Sequence, residues 1–372
     1  MRAALLRGQH LRFAWSARRA DAGDGRLSIP VACVDRVHML IWAEFLCCAA
    51  MIAVAGVYLC RYGDAIAHAT GMGGTWVGLI LLASVTSLPE LVTGISSVSG
   101  AHAPNIAIGD VLGSAVVNLA MLVVLDIVRR AESEYPLVDR GHIISAAFGV
   151  ALLALVAFGL LFEHVGRPPP IAHVGWFSPV ILMVYLLGMR TVFQYEKRRM
   201  AEYLETTDPR DTTIDLGEAV FRYAVAATVV LVAGIWLPFV SADLADSMGW
   251  ERSFVGTIFV AAATSMPELV VTITAVRMGA LDMAIGGLLG SNMFDAAIVA
   301  IDDVFYLPGP ILRDVSVAHA FSALSAIMMS GIFIVVMVYR PSRRVLGTIG
   351  WASIFLTVIF VANSVVLFMY GD

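Results

Sequence analysis

Three acids stand where an apolar chain should carry none: Glu90, Glu268 and Asp295. Each lies deep in a run long enough to cross a membrane, where an ionised carboxylate costs about 2.5–3.5 kcal/mol or more at a helix centre. Their neighbours bear oxygen. Ala83, Thr86, Ser87 and Glu90 are spaced by three or four and share one helical stripe. Ser114 and Asn118 are four apart, as are Ser291 and Asp295. Pro89 and Pro267 lack an amide hydrogen, so each frees the carbonyl four residues earlier. Such a set of hydroxyl, carbonyl and carboxylate oxygen suits hard cations such as Ca2+ or Na+, and it lacks the soft ligands of a zinc or copper site.

The elements that position these groups are membrane spans. The chain is 59% hydrophobic and 14% charged, with a mean hydropathy of +0.84. A soluble domain is nearer half apolar and a quarter charged, so the composition is that of a multi-pass membrane protein. Apolar runs of about 20 residues, the length that crosses ~30 Å of hydrocarbon, fall near 38–60, 75–99, 105–128, 141–163, 174–195, 219–240, 253–276, 282–305, 315–339 and 346–370. This predicts an all-α membrane protein of ten transmembrane helices. Residues 1–37 carry seven arginines and are too polar to span; they read as a disordered extension or an over-extended start. Residues 196–218 read as a cytoplasmic linker too short for a folded regulatory domain. With the folded amino-terminus outside, fourteen Lys and Arg residues fall on the inside against three outside, a positive-inside pattern that the seven arginines of the extension oppose.

Cys33, Cys47, Cys48 and Cys60 have no CxxC spacing and read as packing residues, and the eight histidines form no i, i+4 pair. Asp302 and Asp303 sit at a span end and read as solvated.

The chain says the same thing twice. Residues 81–98 and 259–276 share Ala83, Thr86, Ser87, Pro89, Glu90, Leu91, Val92, Ile95 and Val98 with the later copy, which reads AAATSMPELV where the first reads ASVTSLPELV. NIAIGDVLGSAVVN (105–118) and DMAIGGLLGSNMFD (282–295) follow at matching distance. Five helices per copy is an odd number, so the second copy, 219–372, must enter the membrane from the side opposite to the first, 38–195. Two inverted five-helix repeats with a midplane site at their interface are a transporter layout. Plainer readings exist for parts of it. Ser and Thr beside a transmembrane proline re-satisfy freed backbone groups, and Gly109-x-x-x-Gly113 and Gly286, Gly287 and Gly290 suit close helix packing better than ion binding. Asp110, one turn before Ser114, is either an extra acid in an ion pathway or a hydrated residue near a helix end. A channel would be expected to repeat a short filter around an oligomer. A hydrolase would need a base other than glutamate beside Ser87 or Ser265. The chain does not read as an enzyme.

TS-x-PE followed by GS-x-x-x-N or GS-x-x-x-D, in two copies over residues 38–370, resembles the cation/calcium exchanger superfamily, and within it the sodium/calcium exchanger branch of prokaryotic type. The resemblance implies an antiporter exchanging Ca2+ for Na+ by alternating access, with Ca2+/H+ exchange as the alternative. It implies Glu90 and Glu268 as central Ca2+ carboxylates, and oxygen from Thr86, Ser87, Thr264 and Ser265. Ala83 and Ala261 would offer backbone carbonyls, and Ser114, Asn118, Ser291 and Asp295 the outer positions. Its partners would be Ca2+, Na+, with H+ as a further transported ion, and the lipid of the cell (plasma or inner) membrane; no cofactor and no nucleic acid are implied, and a monomer suffices for transport. Ala115 departs from the family's asparagine, which Asn292 retains. The cation/proton branch usually carries GN-x-x-E, so TS-x-PE argues for sodium coupling.

Overall fold

The computed structural model describes residues 31–70, 74–100, 102–128, 139, 141–204, 215–248, 264–339, 344–345 and 349–370. Its elements are α1 (Val31–Thr70), α2 (Gly74–Trp76), a π-helical turn (Val77–Leu82), α3 (Ala83–Thr86), α4 (Leu88–Ser99), α5 (Pro104–Val128), α6 (Gly141–Gly166) and α7 (Phe177–Leu204). They continue with α8 (Leu216–Met248), α9 (Met266–Arg277), α10 (Leu281–Phe305), α11 (Ile311–Asp314), α12 (His319–Tyr339) and α13 (Trp351–Tyr370). A two-residue ladder pairs Arg344 with Gly350 and Val345 with Ile349 ahead of α13. The other regular elements among the described residues are helices.

Eight of these helices are long and apolar enough to span a membrane, and a ninth span is formed if Val77–Thr86 and Leu88–Ser99, bent by 41°, are taken together. The expected run 253–276 is described only from Thr264, and Ala261 lies outside the described residues. The segment expected as an extension contributes its last residues to α1, which starts at Val31; residues 1–30 lie outside the described residues. At its other end α1 continues past the expected boundary, because Tyr62, Ile66 and Ala67 join the main core. Phe158, Leu186, Phe221, Phe355 and Phe368 are exposed on the outer faces. Large apolar side chains on helices this hydrophobic are solvated by lipid rather than by water.

Helix α10 is the axis of the bundle. In its most apolar window 89% of residues are buried, against 17% for α13, so the first helix is surrounded by protein and the last mostly by lipid. Helix α10 packs against the π turn, α4, α5, α6, α7 and α9. The close approach depends on glycine: a Cβ at Gly290 would lie 2.5 Å from the Leu79 carbonyl oxygen, and one at Gly78 2.3 Å from that of Met283. Early meets early and late meets late along these two elements, so they run parallel. Helices α1 and α8 pack along each other at the side of this core. Their own apolar clusters (Cys48, Ile52, Ala233 and Leu237; Ile41, Val240 and Leu244) are separate from the main one.

Two acids fasten the core crosswise. Asp126, near the end of α5, accepts hydrogen bonds from the Gly350 amide (2.8 Å) and the Ser353 hydroxyl (2.6 Å) at the start of α13. Asp303, at the end of α10, accepts from the Gly175 amide (2.7 Å), the Ser178 hydroxyl (2.5 Å) and the Ile311 amide (2.6 Å). Both fill the role of an acidic cap, satisfying orphan donors at a helix start. Asp303 is 1% exposed, which overturns the expectation of a solvated residue: the chain after α10 folds back over the helix end and supplies the donors.

Candidate functional site

The two copies of the motif fold alike. Helix α3 ends and α4 begins across Ser87 (φ −90°, ψ 5°). Helix α9 begins after Ser265 in nearly the same conformation (φ −80°, ψ 5°). Pro89 and Pro267 therefore sit in the first turn of a new helix, where a missing N–H costs nothing. This differs from a proline kinking one continuous helix, and it has an electrostatic consequence. Glu90 and Glu268 fall in the first turns of α4 and α9, where the positive end of the helix dipole favours a carboxylate. The break makes a buried acid tolerable.

The acids are joined by hydroxyls. Ser87 donates to Glu268 Oε1 (3.3 Å). Ser265 donates to Ser114 Oγ (3.2 Å), which in turn donates to Glu90 Oε1 (3.5 Å). Each glutamate is thus reached by a serine of the other copy, directly at Glu268 and through Ser114 at Glu90. Asn118 donates from Nδ2 to Asp295 Oδ2 (3.5 Å), the residue at its own position in the second copy. Thr264 donates to Asp110 Oδ1 (3.1 Å). Thr86 donates back to the carbonyl of Leu82 (3.0 Å), which leaves its oxygen lone pairs free to face a cation.

Burial is nearly complete. Glu90 and Asp295 are 1% exposed, Glu268 3% and Asp110 5%. Thr86, Ser87, Thr264, Ser265, Ser114, Asn118, Ser291 and Ala83 are buried with them. Helix α3 supplies Ala83, whose carbonyl accepts the Ser87 amide (3.0 Å). One oxygen of every acid stays without a donor: Glu90 Oε2, Glu268 Oε2, Asp295 Oδ1 and Asp110 Oδ2, together with Asn118 Oδ1, Asn292 Oδ1 and the Ser291 hydroxyl. The carboxylates of Asp110, Glu268 and Asp295 lie near enough to Glu90 for their charges to repel it. Among the described residues no lysine or arginine pairs with any of the four. Buried carboxylates with free oxygens and no basic partner are unstable as an empty anionic cluster, so the arrangement calls for cations from outside the protein. Among the described residues no three His, Cys, Asp or Glu side chains gather around one point at metal-holding distance. The acids are spread along the site with hydroxyls and amides between them, which makes it a row of mixed-oxygen positions.

Asp110 belongs to this site although the motif alone did not assign it. Asp110 was open between two readings, and the structure gives it a buried place hydrogen-bonded to Thr264. Its signal in the sequence was the one-turn spacing to Ser114. Asn292, which the sequence marks as the asparagine retained where the first copy has Ala115, is buried beside Ser291 with a side-chain oxygen that lacks a donor.

The family model for the sodium/calcium exchanger protein matches residues 40–193 and 219–370. Among curated relatives, the sodium/calcium exchanger MaX1 of Methanosarcina acetivorans is 24% identical over 347 residues, covering 84% of this chain and 93% of that protein. The inner membrane protein YrbG of Escherichia coli is 25% identical over 263 residues, covering 68% of this chain and 77% of its own. Among solved structures, the sodium-calcium exchanger NCX_Mj soaked with 2.5 mM Na+ and 0.1 mM Sr2+ superposes with a TM-score of 0.63 at 20% identity. The match covers 87% of this chain and 98% of that one.

Proposed function

The chain belongs to the sodium/calcium exchanger protein family, and from that premise we propose that it is a secondary antiporter exchanging Ca2+ for Na+ by alternating access at the row of buried oxygens. The family is one of membrane transporters, and this member is a multi-pass membrane protein. The observation that carries the reading is that Glu90 and Glu268, from two copies of one sentence, are both buried without a basic partner among the described residues, and each is met by hydroxyl oxygen. Ca2+ takes six to eight oxygens with several carboxylates among them, and Glu90, Glu268, Thr86, Ser87, Thr264 and Ser265, with the carbonyls of Ala83 and Ala261, are the proposed donors. Ser114, Asn118, Ser291 and Asp295 complete positions for Na+.

The architecture we propose is ten helices in two inverted five-helix repeats, 38–195 and 219–372. The crossed caps support it: Asp126 and Asp303 stand at equivalent places in the two copies, and each fastens the fifth helix of the opposite copy. Helices α1 and α8, with apolar clusters of their own, are the elements that would slide past the core to open each side in turn.

Charge enforces exchange. Glu90, Glu268 and Asp295 give a formal −3, and Asp110 makes it −4 if all are ionised. An empty site of that charge is penalised in a dry intermediate, whereas one neutralised by Ca2+ or by several Na+ ions can cross. A second reading, exchange of Ca2+ for protons, draws on Asp110, an acid beyond the duplicated set that a proton could neutralise. Proteoliposomes decide between them. Radiolabelled Ca2+ should accumulate when a Na+ gradient is imposed at equal pH. Accumulation driven by a pH gradient alone, with none from Na+, would replace sodium coupling with proton coupling.

A further inference from the structure

We propose that Asp302 forms a second cation position, in series with the four-acid site, that takes a monovalent hard cation, Na+ or H+. The proposal rests on the exchanger reading above. Asp302 lies seven residues after Asp295 on α10, two turns along the same face. Its carboxylate is pressed against Gly94, one turn after Glu90 on α4: a Cβ at Gly94 would stand 2.4 Å from Asp302 Oδ2 and 2.7 Å from Oδ1. The interface that holds Glu90 and Asp295 thus continues towards the C-terminal ends of both helices, and a glycine there makes room for one more acid.

What marks Asp302 is that nothing among the described residues answers it. The residue is 0% exposed, and both of its carboxylate oxygens lack a donor. The next residue is treated oppositely. Asp303 receives two amides and a hydroxyl, so this helix end can satisfy a carboxylate and does so one position away. The helix itself is regular there, with the Tyr306 amide donating to the Asp302 carbonyl (2.9 Å). Glu163, beyond Asp303 across Gly175, is already paired with Arg313 (2.7 Å), so that arginine is engaged elsewhere. The charge that Asp302 feels is that of Asp110, another anion with a free oxygen. A buried anion with no donor and a second anion nearby is stable only when neutralised. One carboxylate beside a glycine is too sparse a shell for Ca2+, which needs six to eight oxygens, and this restricts the occupant to a single charge. An ion held there would stand between the four-acid site and the face on which α4 and α10 end, cancelling the charge of Asp302 and with it the repulsion between Asp302 and Asp110.

The test uses the full-length protein in proteoliposomes sorted by orientation, with Asp302→Asn as the variant. Exchange of labelled for unlabelled Ca2+ without Na+ reads the four-acid site alone and should persist. Na+-driven Ca2+ uptake should require at least threefold more Na+ at the face where α4 and α10 end, with a lower Hill coefficient, and be unchanged at the other face. A parallel series varies pH at fixed Na+: displacement of the Na+ curve identifies sodium as the occupant, and displacement of the pH curve identifies the proton. If neither curve moves, Asp302 is a neutral packing residue and the proposal falls. If Asp302→Asn also loses Ca2+–Ca2+ exchange, Asp302→Ala, which buries no polar group beside Gly94, is measured next. Loss in both variants overturns a separate position. Absence of Ca2+–Ca2+ exchange in the unaltered protein would instead defeat the exchanger reading itself.

Discussion

Replacing Ser114 by alanine cuts the link between the two copies of the motif at one atom. Its hydroxyl accepts from Ser265 (3.2 Å) and donates to Glu90 Oε1 (3.5 Å), and the residue is 1% exposed. A hydrogen bond to a charged group contributes about 1.5–3 kcal/mol, and the length of the Glu90 contact puts it at the lower end of that range. The alanine also strands the Ser265 hydroxyl in a buried place, for about 1 kcal/mol more. The sum, about 2–3 kcal/mol, corresponds to a roughly 30- to 150-fold rise in half-saturating Ca2+ at 1.4 kcal/mol per factor of ten. The assay is the Ca2+ dependence of initial labelled uptake in proteoliposomes, with Ser114→Thr as the control that restores the hydroxyl. A half-saturating concentration within twofold of the unaltered protein would refute the idea that the two copies act through this chain of oxygens.

Two further changes probe the moving and the fixed parts. A Cβ at Gly234 on α8 would lie 2.6 Å from Pro89 Cγ and 3.7 Å from Pro267 Cγ, so Gly234→Ala should impose about 1–3 kcal/mol of overpacking where α8 meets both helix breaks. It should lower the maximal exchange rate and leave half-saturating Ca2+ unchanged; an unaltered rate would contradict sliding at that contact. Asp126→Ala leaves the Gly350 amide and Ser353 hydroxyl without their acceptor, a loss of about 2–4 kcal/mol of local stability. A lower melting temperature with Ca2+ affinity preserved is expected, and an unchanged melting temperature would remove the cap from the account.

What was legible in the sequence was whatever the duplication wrote twice. Two copies of TS-x-PE at constant offset pointed to Glu90, Glu268 and their hydroxyls without any coordinates. The rest depended on which helix stands at the centre. Apolar composition alone does not tell a helix surrounded by protein from one surrounded by lipid, so α10 and α13 read alike although one is buried on all sides and the other is not. Asp302 and Asp303 were misread for that reason: proximity to a span end suggested water, and the covering segment around Ile311 was visible only once folded. The prolines told part of the story: their missing N–H marks where a carbonyl is freed, and the structure adds that the chain ends one helix at Ser87 and starts another, which turns each glutamate into a first-turn acid.

The most direct measurement is Na+-gradient-driven uptake of labelled Ca2+ by proteoliposomes carrying Glu90→Gln or Glu268→Gln. Each change keeps the shape and removes one charge from a buried carboxylate that has no basic partner among the described residues. Uptake should fall to the level of protein-free vesicles in both variants, with the protein still folded by its melting profile. Full transport by either variant would contradict the assignment of the paired glutamates as the ion site.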